Sequence, residues 1–144
     1  MILQSWKSVL YFKPWEFDDP SIPDSGQHIN ALLVMLLDKL RMIIDTPIIT
    51  HWQAGGCVDM NGTHGHAPNS YHRYDQGARA CDFHIKTNTM NVREQFNYIA
   101  QAGFSGVGIY LYSAYQVWFH VDTRPRNKTQ YWTCKRPGDY EYLL

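Results

Sequence analysis

The chain has 144 residues, with 13 Lys+Arg balanced by 13 Asp+Glu and accompanied by seven histidines. A 44% hydrophobic and 18% charged content excludes a disordered or collagen-like polymer. Balanced charge without a basic run argues against nucleic acid or a polybasic membrane contact as the partner. No stretch approaches the ~20 apolar residues of a membrane span. Gln4, Ser5, Lys7 and Ser8 interrupt any N-terminal signal-peptide core, so synthesis in the cytoplasm without a leader is expected. Three widely spaced cysteines, Cys57, Cys81 and Cys134, form no CxxC and fit a reduced compartment better than a disulfide scaffold.

One domain covering residues 1–144 is expected at this length. Residues 11–26 hold three prolines and several acids and predict an ordered N-terminal arm. Ile29, Leu32, Leu33, Leu36, Leu40, Ile43 and Ile44 recur at helical spacing and predict a helix over 27–44. Pro47 stops it, and residues 47–50 (PIIT) are β-branched enough for a short buried strand. A Gly/Asn/His/Pro-rich loop follows over 55–69, at the length where loops tend to be functional or disordered. Residues 80–86 (ACDFHIK) predict a strand with Asp82 and His84 on one face. Asn91 and Glu94 have capping-box spacing at the start of a helix over 91–102, which Gly103 ends. Its expected buried stripe is Val92, Phe96, Ile99 and Ala100. Strands at 106–111 and 117–122, joined by a turn at 113–115, predict a hairpin. The resulting expectation is a single α+β domain with a small, mostly antiparallel sheet and two main helices.

Histidines beside buried-looking acids concentrate in two places, SYHRYDQGARACD (70–82) and WFHVDTR (118–124). His72, Asp82 and His120 would make a His₂Asp set of the kind that holds catalytic zinc with one position open. The competing reading is a hydrogen-bonded structural histidine at each strand end, because this is not a compact HExxH.

The two segments together resemble the M15 family of zinc peptidases, the D-Ala-D-Ala carboxypeptidase and murein-endopeptidase type found in phages and bacteria. Ser70, His72, Gly77, Ala80 and Asp82 fill a pattern like S-x-H-x-x-G-x-A-x-D. Gly106, Val107, Gly108, Tyr110, His120, Val121, Asp122 and Arg124 fill one like G-V-G-x-Y…F-V-H-V-D-x-R. The likeness runs over residues 11–125, leaving 126–144 as a tail. It implies a Zn²⁺ cleft with His72, Asp82 and His120 as ligands. It also implies hydrolysis of an amide bond in peptidoglycan stem or cross-link peptides by metal-activated water. A phage lysis or virion enzyme, meeting the wall after release or within a particle, is the expected setting.

Three departures bear on that reading. The interval from His72 to Asp82 is longer than the family's, which a loop absorbs at small cost and which makes Asp75 a rival ligand. The arginine of an S-G-Y-R segment is replaced by His51-Trp52-Gln53-Ala54, so substrate anchoring would pass to Arg79, Arg124 or His51, with Ser70 nearby. Val117 and Trp118 stand where the family carries a general base. Asp122, two residues past His120, would then orient that ligand or take a proton, with Arg124 a second catalytic candidate; His51 and His84 are weaker candidates for the proton transfer. These same gaps motivate an alternative, a non-catalytic wall-binding or phage structural module. A stand-alone lectin, suggested by the five Trp and ten Tyr, is a further option, although core packing accounts for most aromatic residues. His64 and His66 flank Gly65 in a loop expected to be flexible. Cys81 should point to the core, and residues 135–144 carry no functional signal.

Overall fold

The computed structural model describes residues 1–112 and 117–143. The turn expected at 113–115 therefore lies outside the described residues. Two α-helices, α1 (Ala31–Ile44) and α2 (Val92–Gln101), accompany six strands. These are β1 (Ile48–Thr50), β2 (Ala80–Ile85), β3 (Gly106–Tyr110), β4 (Trp118–Asp122), β5 (Gln130–Cys134) and β6 (Tyr140–Leu143). They form one sheet in the order β1-β2-β4-β3-β5-β6. Every pairing is antiparallel except β3 with β5. This is the expected single-domain α+β fold, with the β3–β4 hairpin in place. Among the described residues no helix is long and apolar enough to cross a membrane.

Local chemistry explains the helix ends. Asn30 caps α1 by accepting from the Leu33 N–H, and Asp45 leaves it in the left-handed conformation at φ 49°. Asn91 and Glu94 close the expected capping box on α2, a motif that satisfies two otherwise orphaned donors. The long helix expected over 27–44 is broken at its start, where residues 25–28 form a separate 3₁₀ turn. Its buried face is also rotated from the expected one: Leu33, Val34, Leu37 and Leu40 are buried, while Leu32 and Ile43 are exposed. The helix is apolar on nearly every side, so periodicity alone does not select the face that meets the sheet. In α2, Gln95 and Ile99 are the buried residues, with Val92 and Phe96 packed at the core margin and Ala100 part-exposed. β1 is an edge strand with Ile49 turned outward, so it is half-buried where a buried strand was expected.

The two-residue period of the strands separates the sheet into two faces. Cys81, Phe83, Ile85, Val107, Ile109, Phe119 and Val121 join the core with α1 and α2. Asp82, Gly108, His120, Trp132 and Tyr142 lie in one row on the opposite face, paired strand to strand by the register. Within the tail expected over 126–144, residues 130–134 and 140–143 form β5 and β6 and extend that face.

Candidate metal centre

A cleft with a volume of about 550 Å³ opens on the second face. Asp82 on β2 and His120 on β4 are direct cross-strand partners, which places their side chains together. His72 comes from the preceding loop, held by a backbone bond from the Asp59 N–H to the His72 carbonyl. His72 Nε2 lies 3.3 Å from Asp82 Oδ1 and 3.3 Å from His120 Nδ1, and His120 Nδ1 lies 3.1 Å from Asp82 Oδ1. These residues form a grouping able to hold a metal ion. The other ring nitrogens are already engaged. His72 Nδ1 is 3.2 Å from the Cys57 carbonyl, which only accepts, so Nδ1 donates and Nε2 is the nitrogen turned toward Asp82. His120 Nε2 is 2.9 Å from Asp122 Oδ2 and donates in the same way.

The spacing allows a quantitative test of fit. A tetrahedral ion with bonds of about 2.0–2.1 Å sets its ligand atoms roughly 3.3 Å apart, and the three observed separations match that edge. No backbone N–H reaches the Asp82 carboxylate among the described residues, and its Oδ1 meets both imidazole rings. Burial acts against charge on Asp82, yet the His72 and His120 rings outweigh it and hold the carboxyl well below its usual range. Burial likewise opposes charge on His120, but Asp122 and Asp82 raise it to about 9. In the absence of an ion, the two carboxylates draw a proton onto this ring.

Asp122 is nearly buried and highly connected. It accepts from His120 Nε2, from Arg126 Nη1 at 2.6 Å and from the Arg124 N–H at 3.1 Å. Its carboxyl is held below the usual range despite burial, chiefly by His120 and Arg126. That wiring fits the orienting role. Arg124 lies just past the end of β4, lines the cleft and sets its guanidinium 4.5 Å above the Tyr71 ring.

The other expected site residues fall in different places. Ser70 lines the cleft, and its hydroxyl accepts from the His72 N–H at 3.4 Å. Arg79 is not among the described lining residues; it donates to the Thr123 carbonyl at 3.4 Å. His51 is also outside that lining. It pairs with His84 at 2.9 Å beside Trp118, and burial lowers its pKa. Asp75 is held by Arg73 in a bidentate pair, away from the three ligand atoms grouped above. Cys81 faces the core as expected, with its sulfur 3.5 Å from that of Cys57.

The loop expected to be flexible is instead pinned at both histidines. His64 Nε2 meets Asp19 Oδ1 at 2.8 Å, and His66 Nδ1 meets Asp59 Oδ2 at 2.9 Å. The cause is Asp59, which is fully buried and also accepts from the Thr63 and His64 N–H groups. His66 lines the cleft and stacks on His72, with centroids 4.3 Å apart and planes 9° apart. Burial and the His72 ring lower its pKa against the pull of Asp59. It stands at the cleft wall with Nδ1 committed to Asp59. An acid seven residues before a histidine in a Gly-rich loop was the available signal, but it has no periodicity.

No protein-family model, curated protein or solved structure matches this chain.

Proposed function

We propose that the chain is a zinc-dependent peptidase that hydrolyses an amide bond in peptidoglycan stem or cross-link peptides. The observation carrying this reading is the triangle of His72 Nε2, Asp82 Oδ1 and His120 Nδ1, whose edges match a tetrahedral zinc site. The substrate class rests on the resemblance of residues 70–82 and 106–125 to M15 peptidases. A zinc ion held there would supply Lewis-acid polarisation of the carbonyl and activation of a water.

The chain's own residues have distinct parts in this scheme. Asp122 fixes the ring orientation of His120 and keeps Nδ1 turned toward Asp82, as carboxylates beside metal-ligating histidines do. The Cys57 carbonyl does the same for His72. His66, held by Asp59, offers Nε2 as a hydrogen-bond acceptor beside the centre, where Val117 and Trp118 provide no group that can take a proton. Arg124 offers a guanidinium suited to a substrate carboxylate. As with other such enzymes, release from the cell or carriage in a virion would bring the protein to the wall.

Digestion of purified sacculi tests the reading. Wild-type protein with zinc releases muropeptide fragments, a chelator stops release, and mass spectrometry names the bond. The missing family base and the missing S-G-Y-R arginine favour a second reading, a non-catalytic wall-binding or phage structural module. Sacculi bound but left uncut in the presence of zinc would establish it over the first.

A further inference from the structure

Two of the three cysteines meet in the core. Cys57 Sγ lies 3.5 Å from Cys81 Sγ, although 24 positions separate them in the chain, and both residues are fully buried. The backbone sets this contact. The Asp82 N–H donates to the Gly56 carbonyl at 2.7 Å, and the His51 N–H donates to the Asp82 carbonyl at 2.8 Å. The segment around Gly56 therefore runs along the start of β2. Gly56 permits the close approach, since a Cβ there would lie 2.9 Å from the Asp82 Cβ. The pleat of β2 then turns Cys81 to the core, where Cys57 also packs, and Asp82 to the cleft. Cys134 stands apart on β5, with its thiol donating to the Arg136 carbonyl at 2.9 Å.

Both cysteines belong to segments that shape the candidate metal centre. The Cys57 carbonyl accepts from His72 Nδ1, and Cys81 immediately precedes Asp82 on β2. Residues 58–80, which lie between them, carry Asp59, His66 and His72. Any small apolar side chain would serve burial at these two positions. Two thiols in contact add a bond that no other pair of side chains can make, and the fold prepares only this pairing of the three.

We propose that Cys57 and Cys81 are a cross-linking site, whose disulfide fastens the loop carrying His66 and His72 to the strand carrying Asp82. The oxidant is a small-molecule disulfide of the glutathione type. One cysteine thiolate attacks it, forming a mixed disulfide and expelling one glutathione thiolate. The second cysteine attacks the protein sulfur of that mixed disulfide, forming the Cys57–Cys81 bond and expelling the other glutathione. Two protein thiols are oxidised, one glutathione disulfide is reduced to two thiols, and the two protons pass to those thiols. The sulfurs close by about 1.5 Å to reach the ~2.05 Å of the bond. Both are shielded in the folded chain, so the exchange takes place while the core is still open, and the finished bond is protected from reductant. Such a bond confines the unfolded chain and thereby favours the folded one. Neither the thiol contact nor this consequence requires catalysis.

Oxidative refolding tests it. The full chain, reduced and unfolded in guanidinium, is diluted into a buffer of glutathione and glutathione disulfide, alkylated and digested with trypsin. Mass spectrometry should find residues 42–73 joined to residues 80–86, with Cys134 alkylated, and Cys134→Ala should give the same linkage. The cross-linked chain should melt about 5–10 °C above the chain refolded with reductant, whereas Cys81→Ala should melt alike from both buffers. Glutathione disulfide added to the chain already folded in reductant should cross-link it at least about tenfold more slowly, because opening must come first. Both cysteines alkylated after oxidative refolding, Cys134 in the linkage, or equal melting temperatures would overturn the proposal. Cross-linking of the folded chain at the refolding rate would overturn its route. Zinc affinity should agree within about twofold between the two forms, since the Cys57 carbonyl and Asp82 keep their places. Zinc lost only from the cross-linked form would overturn the claim that the bond fastens the loop in its working position. Zinc bound by neither form would reject the metal centre and leave the cross-link standing.

Discussion

Two clusters of carboxylate and imidazole stand close together in this molecule, and each satisfies the simplest criterion for a metal site. His72, Asp82 and His120 form one; Asp19, Asp59 and His64 form the other. Their hydrogen bonding separates them. In the second cluster all four carboxylate oxygens receive backbone N–H groups, from Ser21, Met60, Thr63 and His64, and His64 and His66 add ring contacts. Those carboxylates act as anchors that tie the N-terminal arm and the 59–66 loop together. In the first cluster Asp82 Oδ1 meets both imidazole rings, and each ring nitrogen pointing inward is set there by a partner behind it. Two inward ring nitrogens and a carboxylate without backbone donors can exchange a proton for a cation, whereas a carboxylate wrapped in N–H donors is already complete.

The difference can be challenged directly, beginning with the largest effect. His120→Ala is expected to abolish stoichiometric zinc binding and sacculus digestion, while Asp19→Asn leaves one zinc per chain by metal analysis. Two zinc ions per wild-type chain, or zinc retained at full stoichiometry by His120→Ala, would erase the distinction. His66→Ala should retain zinc and lower kcat by about 10²-fold, the lower end of the range for a positioned proton-handling group. Asp122→Asn should weaken zinc affinity by about 10- to 100-fold through the loss of ring orientation, measured by competition with a chelating dye.

The smallest effect concerns the anchoring cluster and is read as stability. Asp19 and Asp59 are held below the usual carboxylate range because their backbone N–H donors and histidine partners outweigh the cost of burial. A folded-state pKa below the unfolded value means that the unfolded chain binds more protons, so stability falls as pH falls. This contribution is complete above the ordinary carboxylate range and disappears as the pH drops through it and below. Asp59→Ala should cost about 1–3 kcal/mol at neutral pH, since it removes a buried acceptor shared by several part-buried donors, and should flatten the acid limb of the stability profile. Chemical denaturation between pH 3 and 7 measures both.

Much of this arrangement is legible from the chain. Alternation in ACDFHIK and VWFHVD puts Asp82 and His120 on a common face, and the antiparallel register makes them neighbours. His72 is recoverable only through the motif around it, because it reaches the centre from a loop. The Asp59–His66 contact escapes because a buried anchor in a Gly-rich loop leaves no period to detect. The Trp132–Tyr142 part of the cleft face escapes for another reason. β5 pairs in parallel with β3, so Trp132 reaches Gly108 through a crossover with no local turn signature. Tyr142 then depends on β5 being placed first. The rotated face of α1 reflects ambiguity rather than absence of signal: Leu32, Met35 and Ile43 are as apolar as the residues that are buried in their stead.

The position of β6 at the end of the strand order has a consequence for motion. Its four residues are all exposed, and its outer edge has no strand beside it among the described residues. Amides of such a strand exchange through local fraying, whereas those of β4, flanked on both sides, require openings closer to global unfolding. One row of side chains therefore runs from the most protected part of the ladder to the least. The Asp82–His120 end would keep its geometry while the Tyr142 end opens and recloses. Hydrogen exchange should resolve these as two protection classes along a single line of residues.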